Sequence, residues 1–463
     1  MTSLMLKTGL LLPKIAVLIL LSAGIALPSS AAEKSAVYDV KTYGAKGDGV
    51  ALDTAAIQAA IDAAGAAGGT GERIVSIGAG TYRTTMLMLK SGVTLELARG
   101  ALLEASPAAE DWAACNEKPV VAAQGATDIG LRGEGIIDGG GMTYYGHDEG
   151  YVGGFITKGI TTPVSIVAFG DCRNVRVTGL TFRNSVKWTQ VYSRCENLVV
   201  DGSIIRNRES RLSRETDGID INTCAHVVVE DCDIQTGDDA LCLKMNGDAD
   251  APLTHDVIFR NCTVATTCNA TKIGTGTHSE ARDVHFINIT VNKLPGITRH
   301  DNSTKDGSCI AAISVQSNDG GKIHDFTFEH YTVNDCDTPI FMEVQNRTHR
   351  GFGSVSDITV SDFTCAHSSR ASQINVQKGG RLSNITLRNL DIHNSGTSAS
   401  AASPPWLTGK YPDAENYGEM PAYGLFARCV DGLALTGKIE FHDDGRSGRP
   451  ATSYEDVTLA PEK

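Results

Sequence analysis

Between residues 175 and 392 the chain repeats an eight-residue pattern at 175–182, 198–205, 227–234, 257–264, 284–291, 326–333, 358–365 and 385–392. Positions one, three, six and eight of each unit are mostly apolar. Position five is Gly179, Gly202, Asp231, Asn261, Asn288, His330, Asp362 or Asn389. The residue before each unit is Asn174, Asn197, His226, Asp256, Asp283, Asp325, Asp357 or Asn384. One apolar residue in two marks a half-buried strand. The phase slips at position five, where Gly, Asn and Asp tolerate a left-handed backbone. Each unit therefore reads as a strand, a bend and a second strand. Successive units start 23, 29, 30, 27, 42, 32 and 27 residues apart, a period that means a solenoid. Short strands with no helical pattern between them select a parallel β-helix over a propeller, whose blades need longer four-stranded units; the expected hand is right-handed. The expected fold class is all-β, with equivalent residues of adjacent coils about 4.8 Å apart.

A solenoid must cover its ends. Residues 53–64 (DTAAIQAAIDAA) begin with a capping residue type and continue with strong helix formers, Ile57 and Ile61 on one face. They predict an N-terminal capping helix. Residues 395–423 break the repeat, are rich in Ser, Ala, Pro and Gly, and carry Trp406, Tyr411 and Tyr417. They predict a long loop over one flank, because strand-like 423–427 and 433–441 follow.

Residues 1–32 read as an export signal: Lys7 and Lys14, an apolar run from Ile15 to Leu27, then small residues before Glu33. The run is short for a membrane span. The expected organisation is thus a signal peptide at 1–32 and a single catalytic domain at 33–463, secreted or periplasmic, monomeric, and free of the membrane once the signal is removed. Removing that segment, with its two lysines and no acids, takes the formal charge from −13 to −15. So acidic a protein offers no long-range attraction to nucleic acid, and any acidic substrate needs a local basic patch. The 12 cysteines show no CxxC pair or ligand spacing, so neither metal nor cofactor is expected. Disulfides are permitted in an exported chain. Cys232 and Cys262, at one position of adjacent coils, are expected to stack in the core without a bridge.

Two short motifs fall on consecutive coils, Glu215-Thr-Asp-Gly-Ile-Asp220 and Thr236-Gly-Asp-Asp-Ala240. Asp217 and Asp239 are 22 residues apart, close to one coil, and should be stacked neighbours. Crowded carboxylates repel, which raises at least one pKa. A proton donor beside ionised neighbours that activate water is what glycoside hydrolysis requires. Turn residues and a calcium site are the other readings of the same carboxylates.

Thr216-Asp-Gly-Ile-Asp220 followed by Gly237-Asp-Asp239 resembles glycoside hydrolase family 28, the polygalacturonase family. Residues 38–49 (YDVKTYGAKGDG) with 53–58 resemble the family's N-terminal entry, Asn184-Ser-Val-Lys-Trp188 its segment one coil before the catalytic one, and 449–457 the ending of bacterial members. The resemblance spans nearly the whole mature chain. It implies an inverting hydrolase of pectic or related acidic polysaccharides, with Asp238 the general acid and Asp217 and Asp239 orienting the attacking water. Three positions depart from the pattern. Glu215 replaces the usual Asn. Cys268-Asn269-Ala270 stands where a Gly-His-Gly is usual. Ala311-Ala-Ile-Ser-Val-Gln316 stands where an Arg-Ile-Lys grips the substrate carboxylate. Weak action on simple polygalacturonate is therefore expected.

Other residues are candidates for binding the polysaccharide or oligosaccharide substrate. Arg347 and Arg299, the latter beside His300 in an insertion between coils, can hold a carboxylate bidentately. Trp188 can stack on a sugar face. Lys244, Lys272, Asn269 and His278 complete the set; the last is a substitute for the missing histidine. A polysaccharide lyase and a non-catalytic glycan-binding β-helix are the competing functions. A lyase would need a cation for the uronate and a base for its proton; a pure binder has no need of crowded carboxylates.

Overall fold

The computed structural model describes residues 35–461 apart from 69–70, 114–117, 142–144, 148–154, 158–164, 208–214, 248–250, 295–307, 397–401, 408–410 and 446. The segment read as an export signal lies outside the described residues.

Strands of successive coils pair in parallel to form a right-handed parallel β-helix. From residue 165 each coil supplies three strands. Trp188–Ser193, Glu196–Asp201 and Ile204–Arg206 stack on Ser165–Gly170, Arg173–Thr178 and Thr181–Arg183. Ile219–Asn222, Ala225–Glu230 and Asp233–Thr236 follow. Beyond Leu241–Met245 the second and third strands fuse into long bent ones, Thr254–Thr266, Glu280–Asn292, Lys322–Val333, Ser354–Ser368 and Leu382–Asn394.

The repeat maps onto this ladder residue by residue. Val175, Leu198, Val227, Val257, Val284, Phe326, Ile358 and Ile385 are successive register partners. All are buried. Two positions on, the rings of Phe259, Phe286 and Phe328 stack at 4.4 and 5.1 Å. Every position-five residue and every residue preceding a unit has positive φ, between 53° and 73°. This is the left-handed region that side chains other than Gly, Asn and Asp rarely adopt. Several of these turns are tied coil to coil by side-chain amides: Asn288 donates to Asn261 at 2.9 Å and Asn389 to Asp362 at 2.8 Å.

A helix, Thr54–Ala66, caps the N-terminal end and buries Ile57, Ala60, Ile61 and Ala64. Asp53 precedes it but does not cap it with its side chain, which accepts instead from the backbone of Lys46 and Gly47 at 2.6 and 3.0 Å. The two strands expected near the C-terminus are one continuous strand, Leu425–Asp443, because the same turn chemistry bends a strand without ending it. The described parts of 395–424 lie across one sheet. Leu407, Ala414, Tyr417 and Met420 pack on Ala311, Phe341, Ala371 and Phe426. The 11 cysteines among the described residues are unbridged, Cys232 and Cys262 included. No helix among the described residues is long and apolar enough to cross a membrane.

Candidate active site

The sheet built from Trp188–Ser193, Ile219–Asn222, Leu241–Met245, Asn269–Thr277 and Cys309–Ser317 carries the candidate chemistry. Ile219 pairs with Leu241 and Leu241 with Thr271. Two residues earlier, the same register sets Asp217 beside Asp239 and Asp239 beside Asn269. Gly218 N–H donates to the Asp239 carbonyl and Ala240 N–H to that of Asn269. Carboxylate oxygens of Asp217 and Asp239 lie within 4.8 Å of one another, as do those of Asp238 and Asp239.

These acids sit at the floor of a cleft of about 330 Å³ lined also by Trp188, Glu215, Lys244, Asn246, Thr275, Gly276, His278, Arg347 and Tyr411. Asp217 and Asp239 are buried, and Asp238 is the most open of the three. Lys244 Nζ lies 3.1 Å from Asp217 and 3.0 Å from Asp220. Burial, then the neighbouring charge of Asp220, raises the Asp217 pKa well above the usual carboxylate range, against the pull of Lys244. Burial also works to raise Asp239. There the charges of Lys272 and Lys244 and the Asn269 side chain prevail, and its pKa is lowered. Asn269 gives Asp239 Oδ1 two hydrogen bonds, 3.1 Å from its backbone and 2.7 Å from its amide. Asp238 accepts from Glu215 N–H at 2.6 Å and from Asp239 N–H at 2.7 Å.

Trp188, Lys244, His278 and Arg347 thus reach the cleft lining. Asn269 and Lys272 do not. Both are buried beneath it and face Asp239, on a strand whose next neighbour, Cys309–Ser317, is buried at every residue. Arg299 lies outside the described residues. Arg347 arrives pre-oriented: Asp319, itself buried, takes two of its nitrogens at 3.0 and 2.7 Å. His278 Nε2 is 4.0 Å from the same carboxylate. Glu215, the departure next to the first motif, pairs with Lys187 at 3.1 Å.

Asp220, Tyr411 and Asp319 escaped the sequence reading. Asp220 is legible afterwards as the sixth and last residue of the first motif. Tyr411 and Asp319 come from segments far along the chain and carry no local signal. A larger depression of about 610 Å³ lies on another sheet around Gly130, Arg132 and Arg176. Its charges are in part already paired, Arg132 with Glu72 at 2.6 Å and Glu96 at 2.7 Å, and it gathers no comparable group of stacked carboxylates.

The family model described as Glycosyl hydrolases family 28 matches residues 70–406. The chain belongs to that family. A second model, Rhamnogalacturonase A/epimerase, pectate lyase-like, matches residues 37–98. A probable polygalacturonase of Vitis vinifera is 24% identical over 79% of this chain and 75% of its own length. A probable polygalacturonase of Arabidopsis thaliana is 27% identical over 55% of this chain, which spans only 59% of that relative. Among solved structures, a family 28 exopolygalacturonase of Yersinia enterocolitica shares the fold at TM-score 0.62 and 18% identity, over 92% of this chain and 78% of its own.

Proposed function

We propose that the protein is an exported, inverting hydrolase that removes units from the ends of pectic or related acidic glycan chains. The observation that carries this reading is the stacked pair Asp217 and Asp239 beside Asp238. Neighbouring carboxylates whose environments push their proton affinities in opposite directions are what acid–base hydrolysis needs. Asp239, held ionised by Lys272, Lys244 and Asn269, suits the activation of water. Asp238, the most open of the three, is set to protonate the leaving oxygen, with Asp217 holding the water from the other side. The cationic lining from Lys244 and Arg347, with His278 beside them, suits a uronate, in a site where the strand usually bearing an Arg-Ile-Lys is uncharged and buried. Action at chain ends is favoured by the covering segment. It occupies the outward face of the sheet on the C-terminal side of the catalytic coils. Among the described residues that direction is occupied by the covering segment and offers a long glycan no groove to follow. Export rests on the pattern of residues 1–32.

Proton NMR of the product formed before mutarotation tests the mechanism: inversion is expected, and a retained anomer or a trapped glycosyl-aspartate sinks it. A panel of pectic, rhamnogalacturonan and neutral glycans tests the substrate class; preference for a neutral glycan would overturn it. Release of single small products with slow loss of viscosity is expected of chain-end action.

The raised proton affinity of Asp217 favours a second assignment of roles, with Asp217 as the acid. An aryl glycoside whose leaving group needs no proton discriminates. It restores turnover to Asp238→Asn under the first assignment and to Asp217→Asn under the second.

A further inference from the structure

We propose that Asp391, His393 and His442 form a binding site for a divalent transition-metal ion, such as Zn²⁺, on the outer face of the last coils. The site follows from strand alternation. In Leu382–Asn394 the residues Leu390 and Ile392 point into the core, so Asp391 and His393 point out. The neighbouring strand Leu425–Asp443 is in register, with His393 opposite His442 and Asp391 opposite Glu440. Two imidazoles and a carboxylate are thereby gathered from strands that are distant in sequence.

Their geometry matches a coordination shell. His393 Nε2 is 3.3 Å and His442 Nε2 3.0 Å from the same oxygen, Asp391 Oδ1. The donor atoms of all three residues lie within 4.8 Å of one another. Zinc bonds of roughly 2.0–2.2 Å set tetrahedral ligands about 3.3 Å apart. The two rings stack with centroids 4.1 Å apart and 16° between planes, so both present the same edge to the carboxylate. A second observation is independent of these distances. Asp391 Oδ1 is withdrawn from solvent, yet it accepts no directed hydrogen bond among the described residues. The two nitrogens are near it without completing a hydrogen bond to it.

Two imidazole nitrogens and one carboxylate oxygen suit zinc, nickel or copper rather than calcium or magnesium, which prefer oxygen ligands throughout. Glu440 is engaged by Lys438 at 2.8 Å and is not counted as a ligand. An ion here would tie the strand that precedes the 395–424 segment to the strand that follows it. None of the three ligands lines the catalytic cleft, so the proposal stands apart from the proposed activity.

The test uses the full chain without an affinity tag, stripped with EDTA, dialysed, and titrated calorimetrically with zinc chloride. Zinc is expected to bind and to raise the thermal midpoint. Substituting His393→Ala and His442→Ala together is expected to weaken binding by about 100-fold or more, to abolish that rise, and to leave glycan hydrolysis without zinc unchanged. No zinc binding by the native chain overturns the proposal. So does undiminished binding in the double variant, since the ion would then be held by the carboxylates and thiols around Asp239. If the double variant fails to fold, the single variants His393→Gln and His442→Gln decide. Weakened binding in each supports the site, and native affinity in both overturns it.

Discussion

One sheet of the β-helix bears both an open stretch and a covered one. The outward row across its strands runs Asp220, Cys242, Lys272, Ser314, Phe341, Gln373 and Phe426. Over the first coils the row is ionisable but buried, and its neighbours Asp217, Asp239 and Lys244 line the cleft. From Phe341 onward it includes large apolar residues, and Leu407, Tyr417 and Met420 lie across it. Parallel strand pairing runs through both stretches. What differs is the outward side chains: beside Asp217 and Asp239 they are ionisable and adjoin the open cleft, and from Phe341 onward large apolar ones are covered by another part of the chain. Lys272 marks the border, fully buried but facing Asp239.

The largest effect should come from neutralising the open stretch. Asp217→Asn, Asp238→Asn and Asp239→Asn should each lower turnover on the order of a thousand-fold, with far-ultraviolet circular dichroism unchanged. Asn keeps the shape of Asp and removes its charge. Near-native turnover in any two would show that the carboxylates are only turn residues, and the contrast between the stretches would lose its catalytic meaning.

The covered stretch should answer in stability instead. Phe341 is buried against Tyr417 with ring centroids 6.2 Å apart. Phe341→Ala removes that contact and leaves a cavity, for a cost of about 3–5 kcal/mol. Denaturant unfolding should register this loss, while the protein that remains folded keeps most of its turnover. An equal loss of turnover would mean that the covering segment positions the catalytic groups directly, Tyr411 being its route to the cleft.

How far the sequence discloses this molecule follows the same division. The turn ladder was legible because a left-handed backbone narrows the choice to a few residue types, and Asn174 through Asn389 announce it. The strands between were legible wherever one face meets water, as in Val227–Val–Val229. Cys309–Ser317 and Cys336–Val344 are buried at every residue. With both faces covered, the period of two is erased, so these strands were invisible to a search for alternation. The coil at 129–136, with Asp128 before it and Gly133 at its bend, follows the same rule but lies upstream of the aligned repeat. Its φ values are 56° and 123°. In the site, Asp217 and Asp239 were legible because one coil of spacing is a local quantity. The hold of Asp319 on Arg347 joins residues 28 apart through two coils, and no pattern of residue types marks it.

A buried acid in the covered stretch sharpens the contrast through pH. Glu343 accepts from Tyr417 O–H and from the Gln345 amide at 2.6 Å. Burial pushes its pKa up from 4.5 to about 7, against these hydrogen bonds. The folded state therefore holds this proton more tightly than the unfolded chain does. Its contribution is fully present below pH 4.5 and is lost as pH rises to about 7. The loss is on the order of 3 kcal/mol for a shift of this size. Glu343→Gln should flatten that part of the stability profile; an unchanged slope between pH 5 and 7 would place the titration elsewhere.

The smallest expected effect concerns selectivity in the open stretch. Arg347 enters the cleft with two nitrogens fixed by buried Asp319 and one of them also 3.3 Å from the Thr275 carbonyl. Removing the residue outright would strand the Asp319 charge and confuse stability with function. Arg347→Lys keeps a cation for Asp319 but loses the planar fork that grips a second carboxylate. Turnover efficiency on an acidic glycan should fall about ten-fold, which is about 1.4 kcal/mol of transition-state binding. A neutral analogue of the same linkage should lose little. The ratio of the two rates is the measurement, because a purely structural role for Arg347 would lower both alike. An unchanged ratio would assign the uronate to Lys244 and His278, the other basic side chains of the cleft lining.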